Sequence, residues 1–336
     1  MDKVDFVVIW VDGSDKKWLK EKNKYSSVRV DVSNSVNRFR DWDILKYWFR
    51  GVEKYAPWVN NIYFVTWGHL PKWLNTENSK LKIVNHKDFI PDDYLPTFSS
   101  HTIELNLHRI KGLSENFVYF NDDMFIINEV NKEDYFKNGV PVNNFYETVN
   151  LPYLSNNFSK TCFNNAALLN DIFNKRYFYR KYFSKIFNLK NGFNHIVQSL
   201  FLLPYPLFCG MGVIHGSSSM KKESYEFLWD KYYDKFHNTC LHKFRNYDLD
   251  VNQYVIKDYA ILKGDFCVRN YDFIKIVNVE NENQIATLKK SLFGNKNKEL
   301  CVNDNLDIEG EESDKIIKQV QEMFAKKFPD KCSFEK

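Results

Sequence analysis

The sequence predicts an α/β protein in which a mainly parallel, Rossmann-like sheet is flanked by helices. Short apolar runs rich in β-branched residues alternate with stretches in which apolar residues recur every three or four positions. Strands that alternate with helices favour parallel pairing, with the helices covering both faces of the sheet. The middle of the chain is rich in aromatic residues at helical spacing, and we expect this helical segment to pack on the sheet.

Each predicted element follows from its local pattern. The run Phe6–Val11 ends at Asp12-Gly13, which is typical of a buried strand followed by a turn. Between Asp41 and Tyr55 the apolar residues share one helical face, and Pro57 lies just past the end. The predicted strands are 6–11, 61–66, 81–84 and 117–120. The predicted helices are 41–55, 99–110, 164–180, 221–236, 250–262 and 314–328, and the polar stretch 280–297 is predicted to be a loop.

Composition narrows the class of function. Hydrophobic residues make up 44% and charged residues 27%, as in globular rather than disordered proteins. A net charge of +4 without a basic run permits an anionic substrate or membrane surface and argues against nucleic-acid binding. The cysteines are widely spaced and form no CxxC motif, which predicts reduced thiols. We find no signal peptide, and the longest apolar stretch, 199–208, is too short to span a membrane, so we expect a cytoplasmic protein.

The most informative motif is Asn121-Asp122-Asp123, which directly follows the predicted strand 117–120. Adjacent carboxylates repel each other, and a divalent cation between them would relieve that repulsion. Mg²⁺ in proteins typically takes one or two carboxylates together with substrate phosphates. Asp and Asn are also common in turns after strands, so this pattern alone leaves a plain turn as an equal alternative.

Asp12 and Gly13, at the end of the first predicted strand, are the second candidates. Ligands of parallel sheets bind outside the carboxyl ends of the strands, so we expect Asp12 to converge with the Asp122-Asp123 pair at one edge. A nucleotide could bind there. Taken alone, a turn in which glycine supplies a positive φ explains Asp12-Gly13 better.

Polar residues of the predicted helix 99–110 form a third candidate group. His101, Glu104 and His108 share one face, as a zinc site would require. Their spacing is not HExxH and no cysteine accompanies them, so we favour a polar face that lines the site, with Arg109 meeting phosphate.

Three single residues in the second half of the chain are weak signals alone. His215 reads as a structural histidine and Arg245 as a surface arginine. Asp304 ends Cys301-Val302-Asn303-Asp304, which repeats the pattern of an apolar run followed by Asn-Asp.

Taken in order along the chain, these motifs resemble the Stealth family, the hexose-1-phosphate transferases of bacterial capsules and other cell-surface polysaccharides, such as the streptococcal receptor polysaccharides. The animal relative is the GlcNAc-1-phosphotransferase that marks lysosomal enzymes. The first block is 6–15, the second runs from Arg40 to Asp123, and the resemblance has gaps at about 130–160 and 270–298. The third block contains His215, Phe244-Arg245 and Asp250–Tyr254, and the fourth is Cys301–Asp304.

The resemblance implies a nucleotide-sugar-transferase-like core. Residues 1–130 would form its nucleotide-sugar-binding half, and 131–336 would complete the active site, with both packed as one catalytic unit. The implied active-site residues are Asp123, His215, Arg245 and Asp304. Asp122, Asp123 and Asp304 would hold Mg²⁺ or Mn²⁺, Arg245 would clamp the transferred phosphate and His215 would be the base. The expected substrate contacts are Asp12, Gly13, Ser99, His101, Glu104, Arg109 and Asn121.

The implied reaction moves a sugar-1-phosphate from a nucleotide sugar, expected to be UDP-linked, to a hydroxyl of an oligosaccharide or lipid-linked acceptor. A metal-dependent glycosyltransferase is the alternative enzyme, and a non-catalytic carbohydrate-binding protein is the alternative from another class. We also predict a helix over Arg176–Phe187, with Arg176, Arg180, Lys181, Ser184 and Lys185 on one face. This helix either packs on the core or makes a peripheral contact with an anionic membrane surface.

Overall fold

A computed structural model of the chain describes residues 3–26, 40–151, 157–306, 308 and 310–336. The strands are β1 (Val4–Ile9), β2 (Ile62–Thr66), β3 (Leu81–Asn85), β4 (Asn116–Asn121), β5 (Met124–Ile126), β6 (Phe136–Lys137), β7 (Val140–Asn143), β8 (Ser218–Lys221), β9 (Cys267–Val268), β10 (Ile274–Val279) and β11 (Glu299–Asp304). The α-helices are α1 (Lys16–Tyr25), α2 (Leu45–Tyr55), α3 (Ser100–Asn106), α4 (Asn157–Ile172), α5 (Lys175–Lys181), α6 (Phe183–Ile186), α7 (Phe193–Leu202), α8 (Lys222–Lys231), α9 (Tyr233–Leu241), α10 (Gln253–Lys263), α11 (Gln284–Phe293) and α12 (Glu311–Lys327).

The main sheet has five strands in the order β3-β2-β1-β4-β8. The first four strands are parallel, and β8 runs antiparallel to β4 at one edge. The register places Val8 of β1 between Phe64 of β2 and Phe120 of β4. This arrangement confirms the predicted α/β fold with a mainly parallel sheet and helices around it.

Alternate residues of β1 enter two different hydrophobic cores, because side chains of a strand alternate between the two faces of a sheet. Phe6 and Val8 belong to one core, which also contains Trp48 and Phe49 of α2. Val7 belongs to the other core, together with apolar residues of α10. Trp48 and Phe49 are fully buried, and burial of each such side chain stabilises the fold by about 1.5–3 kcal/mol.

A second sheet begins where the main sheet ends. β5 pairs antiparallel with β11, and β11 pairs parallel with β10. Asp122 and Asp123 form the turn between β4 of the main sheet and β5 of the second. In addition, the Val302 N–H donates to the Asp123 carbonyl at 2.9 Å. The acidic turn therefore lies at the joint of two sheets, one of which contains strands from the end of the chain. The predicted division at residue 130 stays a prediction.

The middle segment is helical, but its helices are shorter than predicted. The predicted helix 164–180 is two helices, because Asn174 caps a new helix by accepting from the Tyr177 N–H at 2.9 Å. The predicted helix Arg176–Phe187 is likewise wrong as one element, since α5 and α6 meet at Tyr182. Phe183, the first residue of α6, is exposed. The predicted helix 221–236 is also divided, into α8 and α9.

The prediction of a loop over 280–297 is wrong, because residues 284–293 form α11. Leu288 and Leu292 are fully buried one turn apart, and with Ile285, which packs on the same core, they anchor the helix. Ser99 stands at the N-cap position of α3, but its side chain makes no capping hydrogen bond. None of the helices in the described ranges combines the length and apolar character needed to cross a bilayer.

Candidate active site

His215 and Asp123 are brought together by strand pairing. Tyr119 of β4 lies opposite Ser218 of β8 in the antiparallel register. His215 comes three residues before Ser218 and Asp122 three residues after Tyr119, so the end of this pairing brings the two segments close together. The Nε2 atom of His215 lies 3.2 Å from Oδ2 of Asp123.

Both ring nitrogens of His215 have partners. Nδ1 lies 3.1 Å from the hydroxyl of Tyr254, a residue of α10 that is buried. Burial lowers the pKa of His215, but the Asp123 carboxylate stabilises the imidazolium by more, so the pKa of His215 is raised. The neighbouring Arg245 opposes this rise. A histidine between a carboxylate and a tyrosine is oriented as a proton-transfer group requires.

Oδ1, the carboxylate oxygen of Asp123 that does not face His215, is buried and lacks a hydrogen-bond partner among the described residues. Oδ2, the oxygen that faces His215, also accepts from the thiol of Cys301 at 3.4 Å. The candidate ligand atoms of Asp123, His215 and Cys301 all lie within 4.8 Å of one another. An unsatisfied buried carboxylate oxygen is costly without a partner, and a divalent cation bound at Oδ1 of Asp123 would supply one.

Asp122 belongs to a group of repelling carboxylates. Desolvation and the charges of Asp123 and Asp41 raise the pKa of the Asp122 carboxyl. Since Asp122 is solvent-exposed, the two neighbouring charges are the better-supported cause. The pKa of Asp41 is raised by desolvation and by the charge of Asp43, and the charge of Asp12 is close enough to add to this rise. Asp12 and the Asp122-Asp123 pair therefore lie near one another at one edge of the sheet.

Asp304 already has a cationic partner in this structure. Its Oδ2 atom lies 3.0 Å from Nε of Arg40 and accepts from the indole N–H of Trp42 at 3.0 Å. The Leu306 N–H donates to Oδ1 at 3.0 Å. Sequence reasoning missed this pairing, because Arg40 and Trp42 are far from Asp304 along the chain and no local pattern connects them.

Arg245 lies in a cleft of about 560 Å³. One guanidinium N–H donates to the hydroxyl of Ser100, at the start of α3, at 2.7 Å. The residues that line the cleft are Asn157, Lys160, His242, Lys243, Phe244, Arg245, Asn246, Tyr247 and Asp248. Lys160 is paired with Asp248 at 2.7 Å, whereas Arg245 lies close enough to His215 to affect its pKa. The cleft thus presents positive charge next to the Asp123–His215 pair.

A buried carboxylate fixes the loop that carries Arg245. Asp250 bonds Nδ1 of His101 at 3.0 Å and Nδ1 of His242 at 2.6 Å, and accepts from the Asn246 N–H at 2.8 Å. Burial raises the pKa of Asp250, but the two histidines lower it by more, so the pKa of Asp250 is lowered. His242 and Asn246 flank Arg245, so Asp250 positions it. His101, which is buried, belongs to this network.

The other predicted substrate-binding residues have mainly internal partners. Glu104 is buried and accepts from the Tyr119 hydroxyl at 3.2 Å and from the Gln253 N–H at 3.3 Å. Asn121 accepts from the same hydroxyl at 2.5 Å. Ser99 is buried, and the guanidinium of Arg109 stacks over the Trp229 ring at 4.8 Å. Asp12, which precedes Gly13, accepts from the Ser14 N–H at 2.8 Å. Their contacts with substrate stay predictions.

Known proteins resemble this chain over its whole length. The models of Stealth conserved regions 1 and 2 match residues 2–27 and 38–143. The capsular polysaccharide phosphotransferase WcwK of Streptococcus pneumoniae is 39% identical over 339 residues, which is 100% of this chain and 99% of the relative. The exopolysaccharide phosphotransferase cps2G of Lactiplantibacillus plantarum is 38% identical, with coverages of 99% and 96%. The receptor polysaccharide phosphotransferase WefC of Streptococcus oralis is 36% identical, with both chains covered completely.

Among solved structures, the galactosyltransferase LgtC in complex with donor and acceptor sugar analogs matches with a TM-score of 0.39 and 9% identity. That match covers 96% of this chain and 95% of LgtC, and it is too distant to bear on function. The three relatives named above are polysaccharide phosphotransferases, and their alignments cover 99% or more of this chain. The chain therefore belongs to the Stealth family of polysaccharide phosphotransferases.

Proposed function

We propose that this enzyme transfers a sugar-1-phosphate from a nucleotide sugar to a hydroxyl of an acceptor glycan. The product is a phosphodiester in a bacterial capsular or cell-surface polysaccharide, and a nucleoside monophosphate is released. The observation that carries the proposal is the Asp123–His215 pair at 3.2 Å beside Arg245, in a chain related along its full length to phosphotransferases. A UDP-linked sugar is the proposed donor.

The bond changes define what the site must do. The acceptor oxygen attacks the phosphorus that carries the sugar, and a new P–O bond forms. The bond between this phosphorus and the oxygen that bridges to the second phosphate breaks, so the nucleoside monophosphate leaves with that oxygen. The acceptor hydroxyl gives its proton to a base. Enzymes catalyse such transfers mainly by positioning the groups and stabilising charge.

His215 is the proposed base. Tyr254 is buried and occupies Nδ1, so Nε2 is the nitrogen that an acceptor hydroxyl can reach. In the proposed step, neutral His215 carries its proton on Nδ1, which donates to the Tyr254 hydroxyl oxygen. The acceptor hydroxyl takes the place of Asp123 Oδ2 at Nε2 and transfers its proton to the lone pair of that nitrogen. Asp123 remains close enough to stabilise the imidazolium that forms, as the carboxylate partner of a catalytic histidine does.

Arg245 is the proposed clamp for the transferred phosphate. Its guanidinium is permanently charged and presents a planar set of donors that matches phosphate oxygens. Ser100 and the Asp250 network hold the arginine in the cleft, so little rotational freedom is lost when phosphate binds. The basic cleft around Arg245 would accept the pyrophosphate of the donor.

Asp122 and Asp123 are the proposed ligands of Mg²⁺ or Mn²⁺. A divalent cation there would neutralise charge on the pyrophosphate oxygens. The free Oδ1 of Asp123 and the crowding of Asp122 both fit this role. Asp304 is the third proposed ligand of the cation. Arg40, which lies 3.0 Å away, would balance part of its negative charge there.

The proposed acceptor is a glycan oligosaccharide, either free or linked to a lipid. We place the reaction in the cytoplasm, at the inner face of the membrane, where a peripheral contact would bring the enzyme to a lipid-linked acceptor.

Nucleotide release from purified enzyme tests the proposed reaction. The enzyme would be incubated with Mg²⁺, an acceptor and a panel of UDP- and CDP-linked sugars, and the nucleotides would be separated by chromatography. The proposal predicts that UMP accumulates in step with the product glycan. Release of UDP would instead identify a glycosyltransferase that attacks the anomeric carbon.

A further inference from the structure

An unusually apolar surface is exposed between α5 and Leu207. Its exposed apolar residues are Tyr177, Phe183, Leu189, Phe193, Leu200, Phe201, Leu203, Tyr205 and Leu207. Leu189, Phe193 and Phe201 are 78%, 70% and 76% exposed. Monomeric proteins in solution rarely expose so many large apolar side chains along consecutive elements, and such surfaces usually contact a partner or a membrane. We call these nine residues the apolar platform.

The platform is held together by internal bonds. The ammonium of Lys175, at the start of α5, is buried and donates to the carbonyls of Leu202 and Leu207 at 2.6 and 3.2 Å. It also pairs with buried Glu147 at 2.8 Å. Asn191 donates to the Ile186 carbonyl at 2.9 Å and so joins α6 to the segment before α7. The exposed side chains therefore project from a fixed backbone.

The charges on this part of the chain have one sign. From residue 172 to 222 the sequence contains no Asp or Glu. Arg176, Arg180, Lys181 and Lys190 are all exposed within the platform segment. An exposed apolar segment whose own charges are all positive complements a bilayer with anionic headgroups, in which apolar side chains enter the headgroup boundary and basic ones bind phosphates.

We infer that the apolar platform docks the enzyme on an anionic bilayer surface. Leu189, Phe193 and Phe201 enter the interface, and the surrounding arginines and lysines bind lipid phosphates. Along the chain, the segment continues through Phe208 and Gly210 to His215 of the candidate active site. This inference rests on the proposed lipid-linked acceptor only for its biological purpose, because binding can be measured without donor or acceptor.

The test is co-sedimentation of the full chain with phosphatidylcholine vesicles and with vesicles that also contain phosphatidylglycerol. The inference predicts binding that requires phosphatidylglycerol and weakens as salt is added. The triple variant Leu189→Ser, Phe193→Ser, Phe201→Ser should lose binding. The triple variant Arg176→Gln, Arg180→Gln, Lys181→Gln should bind more weakly by about fivefold for each charge removed.

Matched controls change the same residue types elsewhere. Leu70→Ser with Leu241→Ser removes exposed apolar side chains, and Lys289→Gln with Lys290→Gln removes exposed charges. These controls should bind as the unchanged protein does, and circular dichroism should show that every variant is folded.

Three results would overturn the inference. They are no binding to either vesicle, equal binding to both, and equal loss of binding in the platform variants and the controls. Size-exclusion chromatography that shows a dimer abolished by the serine variant, without vesicle binding, would assign the platform to self-association. Nucleotide release with a water-soluble acceptor should be unchanged in the serine variant, so a failure of the proposed reaction remains distinguishable from a failure of docking.

Discussion

Nε2 of His215 lies 3.2 Å from Oδ2 of Asp123, although the two residues come from opposite halves of the chain. The contact exists because β8 pairs with β4 at the edge of the main sheet. Asp123 also anchors the second sheet, since its carbonyl accepts from Val302. Backbone contacts of two sheets therefore position the Asp123–His215 pair.

Replacement of His215 by alanine should remove the base. We expect kcat to fall by roughly 100- to 10,000-fold, the usual contribution of general base catalysis, while donor binding stays normal. Steady-state kinetics together with calorimetric donor binding would measure both effects. His237→Ala is the matched control, because His237 contacts Tyr94 and not the site. Normal turnover of His215→Ala at neutral pH would exclude His215 as the base.

Arg245→Lys should retain the charge but lose the planar pair of donors. We expect kcat/KM to fall by about 100-fold or more, as when one donor to a developing charge is removed. Arg180→Lys, measured with a water-soluble acceptor, is the control and should leave kcat/KM unchanged. If the two variants behave alike, Arg245 is not the phosphate clamp.

Removal of divalent cations should abolish turnover, and Mg²⁺ or Mn²⁺ should restore it. Because oxygen ligands suffice for these ions, Cys301→Ser should leave this activation intact. The same variant should reduce inhibition by added Zn²⁺, which prefers the thiolate near Asp123 and His215. Cys162→Ser is the control. Full turnover in the presence of a chelator would contradict the proposed cation.

Asp250→Asn should weaken the protein at neutral pH but not in strong acid. The pKa of Asp250 is lower in the folded protein than in the unfolded chain, so its stabilising effect is complete above the unfolded pKa of about 4. The effect is lost as the pH falls through the folded-state pKa. We expect a loss on the order of 1–3 kcal/mol in the free energy of unfolding at pH 7, and a difference that shrinks in acid.

Urea denaturation across pH would measure that difference, with Asp248→Asn as control, since the Asp248 side chain is 71% exposed. The Asp250→Asn variant should also lower kcat, because the loop of Arg245 loses its anchor. A stability difference that stays constant down to low pH would show that Asp250 does not act through its charge.

The four parallel strands of the main sheet could be predicted because each is an apolar run bounded by turn residues. The edge strand β8 could not, because its sequence, Ser-Ser-Met-Lys, contains no apolar run. Helix α11 could not, since only two of its residues, Leu288 and Leu292, are fully buried and its flanking sequence is polar. The break at Asn174 was missed because a cap within a continuous apolar pattern leaves the pattern unchanged.

The candidate site divides in the same way. Asp122 and Asp123 are visible in the sequence because they stand together after a strand. Other pairs form only when the chain folds. Asp304 pairs with Arg40, and Asp250 pairs with His101 and His242. The exposure of the apolar platform likewise could not be foreseen, since the same residues at helical spacing would suit a buried core equally well.

The most direct test of the central claim uses a nucleotide sugar with one radiolabel in its sugar and a different label in the phosphate attached to that sugar. Phosphotransfer moves both labels into the glycan in equal amounts and leaves unlabelled nucleoside monophosphate. Recovery of the sugar label alone in the glycan, with the phosphate label left in nucleoside diphosphate, would contradict the proposed function.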